Sequence, residues 1–224
     1  MDEWWMAPVF GVALTVGIYM LSITANRRLR WLHPLFTCSV LIIAILLLLD
    51  IPYDDYMAGG EWITFLLGPA TVALAVPLHK HWELIRNQLL PITTGITVGV
   101  AVGFASNAFL IRAFGGSDEL LFTVLPKSAT APISIEIVAR LGGIPELGAV
   151  LTVLTGLFGS MVGTWCLRKI GVHTDLAIGI AMGTAAHGIG TAKVLRDSER
   201  QGAYSSLAMG LTGILISVAA MFWG

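Results

Sequence analysis

Lys127, Thr130 and Ser134 stand at i, i+3 and i+7, and Thr184, His187 and Thr191 repeat that spacing some fifty residues on. At 3.6 residues per turn each trio shares one helical face. Pro126 suits the opening position of a half-helix, where its missing N–H is not needed. Pro132 cannot donate to the carbonyl of Ser128, which frees that oxygen for a solute, a water or an ion. Gly179, Gly183, Gly188 and Gly190 bare the backbone around the second trio. Hydroxyls, one cation and open helix N-termini together suit a small anion such as a carboxylate. On this reading Lys127 supplies the charge, and Ser128, Thr130, Ser134, Thr184, His187, Gly188, Gly190 and Thr191 complete the binding site. Glu136 and Arg140, one turn apart, offer a proton-coupling carboxylate and its modulating cation. Each reading has a plain rival. Lys127 could snorkel to an interface, Glu136 and Arg140 could pair only with each other, His187 could be a packing residue, and the hydroxyls could bond to their own helices.

These residues lie in two polar stretches, Leu125–Pro145 and Gly179–Lys193, inside an otherwise apolar chain. Of 224 residues 56% are hydrophobic and only 12% charged, with a mean hydropathy of +0.82. Soluble domains are about one quarter charged, so the chain reads as an all-α integral membrane protein. Its length suits roughly six to eight spans in a single polytopic domain, residues 1–224. A Lys or Glu at the centre of a span costs roughly 2.5–3.5 kcal/mol, and broken backbone at that depth must be covered by protein or line a water-filled cavity. Two such stretches, broken or re-entrant, are therefore expected to hold something polar.

The flanking runs are plain. Trp4–Ala25 is preceded by acids and followed by Arg27, Arg28 and Arg30, so it reads as a retained span with its N-terminus outside. Leu35–Leu49 is aliphatic. Glu61–Leu78 is interrupted at Gly68-Pro69 and closed by Pro77. Leu89–Phe114 carries Gly95, Gly99 and Gly103, and Leu147–Leu167 carries Gly159 and Gly163, spacings that let helices approach closely. Ala203–Trp223 is the last span. If Leu125–Pro145 enters and leaves from outside, positive charge concentrates in the cytoplasm and leaves only Arg112, Lys127 and Arg140 away from it. Whether the stretches cross or re-enter, both termini are expected outside. Matches of Ala70-Thr71 with Ala129-Thr130, and of Gly99 and Gly103 with Gly159 and Gly163, hint at an internal repeat of about sixty residues, the pointer to a midplane transport site.

Other chemistry is thinly represented. Cys38 and Cys166 read as packed free thiols, and His79 and His81 lack a third metal ligand. No cofactor is implied, and no P-loop, zincin helix or nucleophile elbow is present, so no enzyme is expected. A net charge of −1 without a basic run gives no reason to expect a nucleic-acid partner.

The stretches PKSATAPISIEI (Pro126–Ile137), GGIPELGAVLTVLTGLFG (Gly142–Gly159) and AHGIGTAKV (Ala186–Val194) resemble the LrgB/CidB family of bacterial membrane proteins. The resemblance runs the length of the chain and is weaker before Gly68. It implies a bacterial cytoplasmic (inner) membrane location and a separate LrgA/CidA-like membrane partner. It also implies one of two functions: holin- or antiholin-like control of murein hydrolase activity and lysis, or transport of small monocarboxylates. The latter are pyruvate in bacteria and glycolate and glycerate in the related plastid carrier. With the bilayer and a small carboxylate as the other expected partners, a homo-oligomer is left open. A secondary-type carrier is the expectation, because two glycine-rich segments bearing Lys127, Glu136 and His187 suit a solute site better than an oligomeric pore.

Overall fold

The computed structural model describes residues 7–28 and 33–223, and among these every regular element is helical. Five helical stretches are long and apolar enough to cross a membrane: Pro8–Arg28, Tyr53–Lys80, Leu89–Ala113, Pro145–Lys169 and Glu199–Ala220. Pro34–Leu48 is a shorter apolar helix. With the two polar stretches, this is the all-α membrane architecture that the composition demands. Trp4 and Arg30 lie outside the described residues. The chain divides into two compact units, Met1–Ala73 and Leu74–Gly224.

In the first unit α1 (Pro8–Arg28) packs against α2 (Pro34–Leu48) and α3 (Tyr53–Phe65). Gly11 and Gly59 let α1 and α3 touch backbone to backbone, since a methyl on Gly11 would meet the Gly59 Cα at 3.0 Å. Beside them the Thr15 and Tyr56 hydroxyls share a 2.8 Å hydrogen bond. Cys38 is buried between these helices. α4 (Leu67–Ala73) ends the unit. A proline cannot donate to the carbonyl four residues back. Accordingly α3 stops at Phe65, four residues before Pro69, and α4 stops at Ala73, four residues before Pro77. Pro77 does not close the run as the sequence suggested, because helix continues through α5 (Ala75–Lys80).

The second unit holds α5, α6 (Trp82–Arg86), α7 (Leu89–Ala113), α8 (Asp118–Val124), α9 (Ala131–Leu141), α10 (Pro145–Lys169), α11 (Asp175–Asp197) and α12 (Glu199–Ala220). Both polar stretches fold as hairpins. In the first, α8 and a 3-10 turn (Leu125–Ser128) run inward, Ala129 and Thr130 are extended, and α9 returns. The chain after α9 comes back to the last turn of α8, where the Ile144 N–H donates to Thr123 Oγ1 at 2.9 Å. In the second, α11 reverses at His187, whose backbone (φ 39°, ψ −137°) is non-helical. A methyl on Gly190 would lie 3.0 Å from the Met182 carbonyl oxygen. On a straight helix residues eight apart are about 12 Å apart along the axis, so the two halves lie side by side. Val194 packs with Ile178, and Gln201 donates to Asp175 at 2.7 Å to close the mouth.

The hairpins open at opposite ends of this unit. The first begins and ends beside the start of α10, whereas the second begins and ends beyond the end of α10. α7 with the first hairpin recurs as α10 with the second, in inverted orientation. Both long helices have 25 residues, and each is followed by a glycine at positive φ, Gly115 (72°) and Gly171 (87°). Each hairpin opens with a hydroxyl cap: Ser117 accepts from Leu120 at 3.2 Å and Thr174 from Ala177 at 3.3 Å. Ser117 and Thr174 stand 57 residues apart, and so do Ser134 and Thr191, Ile137 and Val194, and Arg140 and Asp197. The repeat anticipated at about sixty residues is therefore present at a corrected register. Gly99 matches Gly156 rather than Gly159, and Ala70-Thr71 falls in the other unit, outside the repeat.

Candidate functional site

Where the hairpin tips approach each other, α7 contributes its glycine face. Gly95, Gly99 and Gly103, with Val100, Phe104, Ser106 and Asn107, line one side of a cavity of about 460 Å³. Leu125, Lys127 and Ser128 of the first tip, Thr155 of α10, Ile180, Ala181, Thr184 and Ala185 of the second hairpin, and Ile216 of α12 line the rest. Of the α7 glycines, Gly95 and Gly99 fit the close-packing reading and Gly103 does not, and a methyl at Gly95 would lie 3.5 Å from Ile180 Cγ2. A methyl at Gly99 would touch Thr184 Cγ2 at 3.1 Å, but one at Gly103 would meet nothing within 4 Å. Their absent side chains are what leaves the cavity its room. On α10 the reading holds, since methyls at Gly156 and Gly159 would run into the His187 ring (2.6 Å) and Ala186 Cβ (2.5 Å).

Lys127, Ser128 and Thr184 are thus brought together at one cavity. Lys127 rides on the 3-10 turn, where the helix has broken, and forms none of the ion pairs among the described residues. Thr184 is buried and its hydroxyl has no hydrogen-bond partner. In repeat register Lys127 and Thr184 are counterparts, so one tip supplies a cation where the other supplies a hydroxyl. Asn107, only 6% exposed, is a cavity residue that sequence reading missed. A lone amide in the apolar run Leu89–Ala113 was the available signal.

The remaining candidates lie elsewhere. His187 is buried, and its ring nitrogen Nε2 lies 2.8 Å from the Thr152 carbonyl, facing α10 instead of the cavity. Thr191 donates to the His187 carbonyl and shares a 2.8 Å hydrogen bond with Ser205. Gly188 lies beside Met209, and Gly190 gives the room for the second hairpin to fold back. Thr130 caps α9 by position without a side-chain hydrogen bond, and Ser134 is fully buried without a partner. Glu136 and Arg140 face one another at 3.7 Å on the exposed side of α9, away from the cavity lining. Cys166 is exposed on α10, not packed as expected, because that face of α10 turns away from the neighbouring helices. Among the described residues no three His, Cys, Asp or Glu side chains come together as a metal-ion site.

Oppositely directed helical hairpins packed among helices long and apolar enough to cross a membrane define a multi-pass α-helical membrane protein. Residues 15–223 match the LrgB-like family, and the chain belongs to that family. It is 39% identical to the uncharacterised protein YxaC of Bacillus subtilis over 206 residues, 91% of this chain and 90% of that one. It is 35% identical to the holin-like protein CidB of Staphylococcus epidermidis over 220 residues, 97% and 96% of the two chains. To the CidB of Staphylococcus aureus it is 35% identical over 209 residues, covering 92% and 91%. No solved structure matches.

Proposed function

We propose that this protein carries small monocarboxylates of the pyruvate, glycolate or glycerate class across the bacterial cytoplasmic membrane. The observation that carries the reading is Lys127, a cation at the broken tip of one hairpin, in a cavity shared with the tip of an oppositely directed hairpin. Interrupted helices at matching places in inverted repeats are the arrangement in which midplane solute sites are built. One cation without a second matches a monocarboxylate better than a dicarboxylate. Ser128, Asn107 and Thr184 supply neutral hydrogen-bonding groups for its remaining oxygens.

Charge supports an orientation. Lys80, Arg168, Lys169, Arg196 and Arg200 belong to the end at which the second hairpin opens, which by the positive-inside rule faces the cytoplasm. The C-terminus then lies outside. The names of the CidB relatives favour a second reading, a holin-like protein, for which the family resemblance implies control of lysis with an LrgA/CidA-like partner.

Uptake of labelled pyruvate, glycolate and glycerate into vesicles of the purified protein separates the two. Saturable uptake that Lys127→Ala abolishes, with folded protein retained, is the expected result, and Lys127→Arg should keep partial uptake. Undiminished transport by Lys127→Ala, or equal passage of uncharged solutes of the same size, would overturn the carrier reading.

A further inference from the structure

Helical Ser and Thr side chains here mostly bond back to their own helix, as Thr15, Ser22, Thr71, Thr123 and Ser206 do. Ser134 and Thr152 do not. Both are 0% exposed, and neither hydroxyl has a hydrogen-bond partner. Buried polar groups are hydrogen-bonded in more than about nine cases in ten, so each exception calls for a physical reason. The two belong to one seam. α9 and α10 run antiparallel, and Val138 touches Gly148, a methyl on which would lie 2.9 Å from Val138 Cγ2. One turn toward the tips from that contact, on the same two faces, come Ser134 and Thr152.

The repeat supplies a comparison within the molecule. Thr191 is the counterpart of Ser134 and sits on the corresponding seam between the second hairpin and α12. There it is joined to Ser205 by a 2.8 Å hydrogen bond. In the 57-residue register Ser205 matches Gly148, so the hydroxyl that closes this place in the second repeat has no counterpart in the first, and Ser134 is left without a partner. Around the open seam lie further oxygens. The Thr152 carbonyl faces the His187 ring, and the half-helix from Asp175 ends at His187 with the negative end of its dipole at this level. Thr212, fully buried and also without a partner, stands on α12 next to Gly213, which lies against Ile133.

We propose that Ser134 Oγ and Thr152 Oγ1, with backbone carbonyl oxygens of the hairpin breaks, bind a monovalent sodium-sized cation. The chemistry selects the class. Hydroxyl and carbonyl oxygens suit a hard cation. With no carboxylate in the cluster and the Lys127 charge on the neighbouring turn, a divalent ion has nothing to balance it. The inference rests on the carrier reading only for its purpose, the coupling of solute movement to a cation gradient. Binding itself is independent of that reading.

The test is thermal unfolding of the full-length protein in detergent, in sodium chloride against choline chloride at equal ionic strength and without solute. Sodium should raise the midpoint saturably. Thr152→Val and Ser134→Ala should raise the half-saturating sodium concentration tenfold or more. In choline both variants should unfold no earlier than the unsubstituted protein, because each removes a buried hydroxyl that has no partner. Thr93→Val, on the exposed face of α7, should behave as the unsubstituted protein does. Absence of any sodium effect, or an undiminished one in both variants, overturns the site and leaves the seam to water. Earlier unfolding of both variants in choline also overturns it, since the hydroxyls would then be structural. Sodium binding without carboxylate uptake in vesicles would retain this site and overturn the carrier reading. Uptake without a sodium effect would do the reverse.

Discussion

Lys127 and His187 were equals in the sequence, each an ionisable group opening or centring an i, i+3, i+7 trio in a polar stretch, and the fold gives them different surroundings. Lys127 reaches the cavity because a 3-10 turn replaces α-helix just before the chain extends at Ala129. His187 takes the reversal itself, at a positive φ that is uncommon outside glycine, and its ring is committed to the Thr152 carbonyl. Glu136 and Arg140 sit on a third kind of surface, with side chains 76% and 73% exposed. Pairs so exposed are worth less than about 1 kcal/mol. Glu136→Gln is therefore expected to leave the unfolding midpoint nearly unchanged, and to leave the response of uptake to an imposed pH gradient unchanged as well. Loss of proton-driven accumulation with solute exchange retained would instead give Glu136 the coupling role.

Each hairpin depends on small residues at its contacts. The second is seated on α12, where a methyl on Gly183 would collide with the Ser205 carbonyl oxygen and one on Gly179 would lie 2.7 Å from that of Gln201. Backbone cannot step aside as a flexible side chain can. Overpacking of this kind costs about 1–3 kcal/mol, so Gly183→Ala should lower the unfolding midpoint clearly. Gly210, on α12 with nothing within 4 Å of an added methyl, is the control. There Ala replaces Gly in a helix interior, and a gain of roughly 0.5–1 kcal/mol is expected. Equal midpoints for the two variants would mean that α11 and α12 are not packed as described.

At the scale of the second unit, the inverted repeat fixes which loops share an end. The loops after α7 and before α10 belong together, as do those after α10 and before α12. With Cys38 and Cys166 replaced, Glu119→Cys should react with impermeant thiol reagents from outside the cell only. Lys169→Cys should react only from the cytoplasmic side. The opposite pattern would reverse the assigned orientation, and reaction of both from one side would break the repeat itself.

Much of this was legible in the sequence. Hydropathy is additive along the chain, so the membrane class and most helix bounds followed directly. Proline is local in its effect, so the interruptions near Pro69, Pro77 and Pro132 could be anticipated to within a few residues. The two stretches holding the candidate polar residues stand out because polar groups are costly in hydrocarbon wherever they point. What the sequence could not settle was direction. The i, i+3, i+7 trios assumed unbroken helix, whereas one break falls between Lys127 and Ser134 and the other at His187. Each trio is therefore divided between surfaces: Lys127 and Thr184 line the cavity, while Ser134, His187 and Thr191 lie in packed seams. Residue spacing sets a shared face only while the backbone keeps its regular rise and turn. Past a break, the contacts across α7, α10 and α12 decide which groups meet, and those contacts exist only in the folded chain.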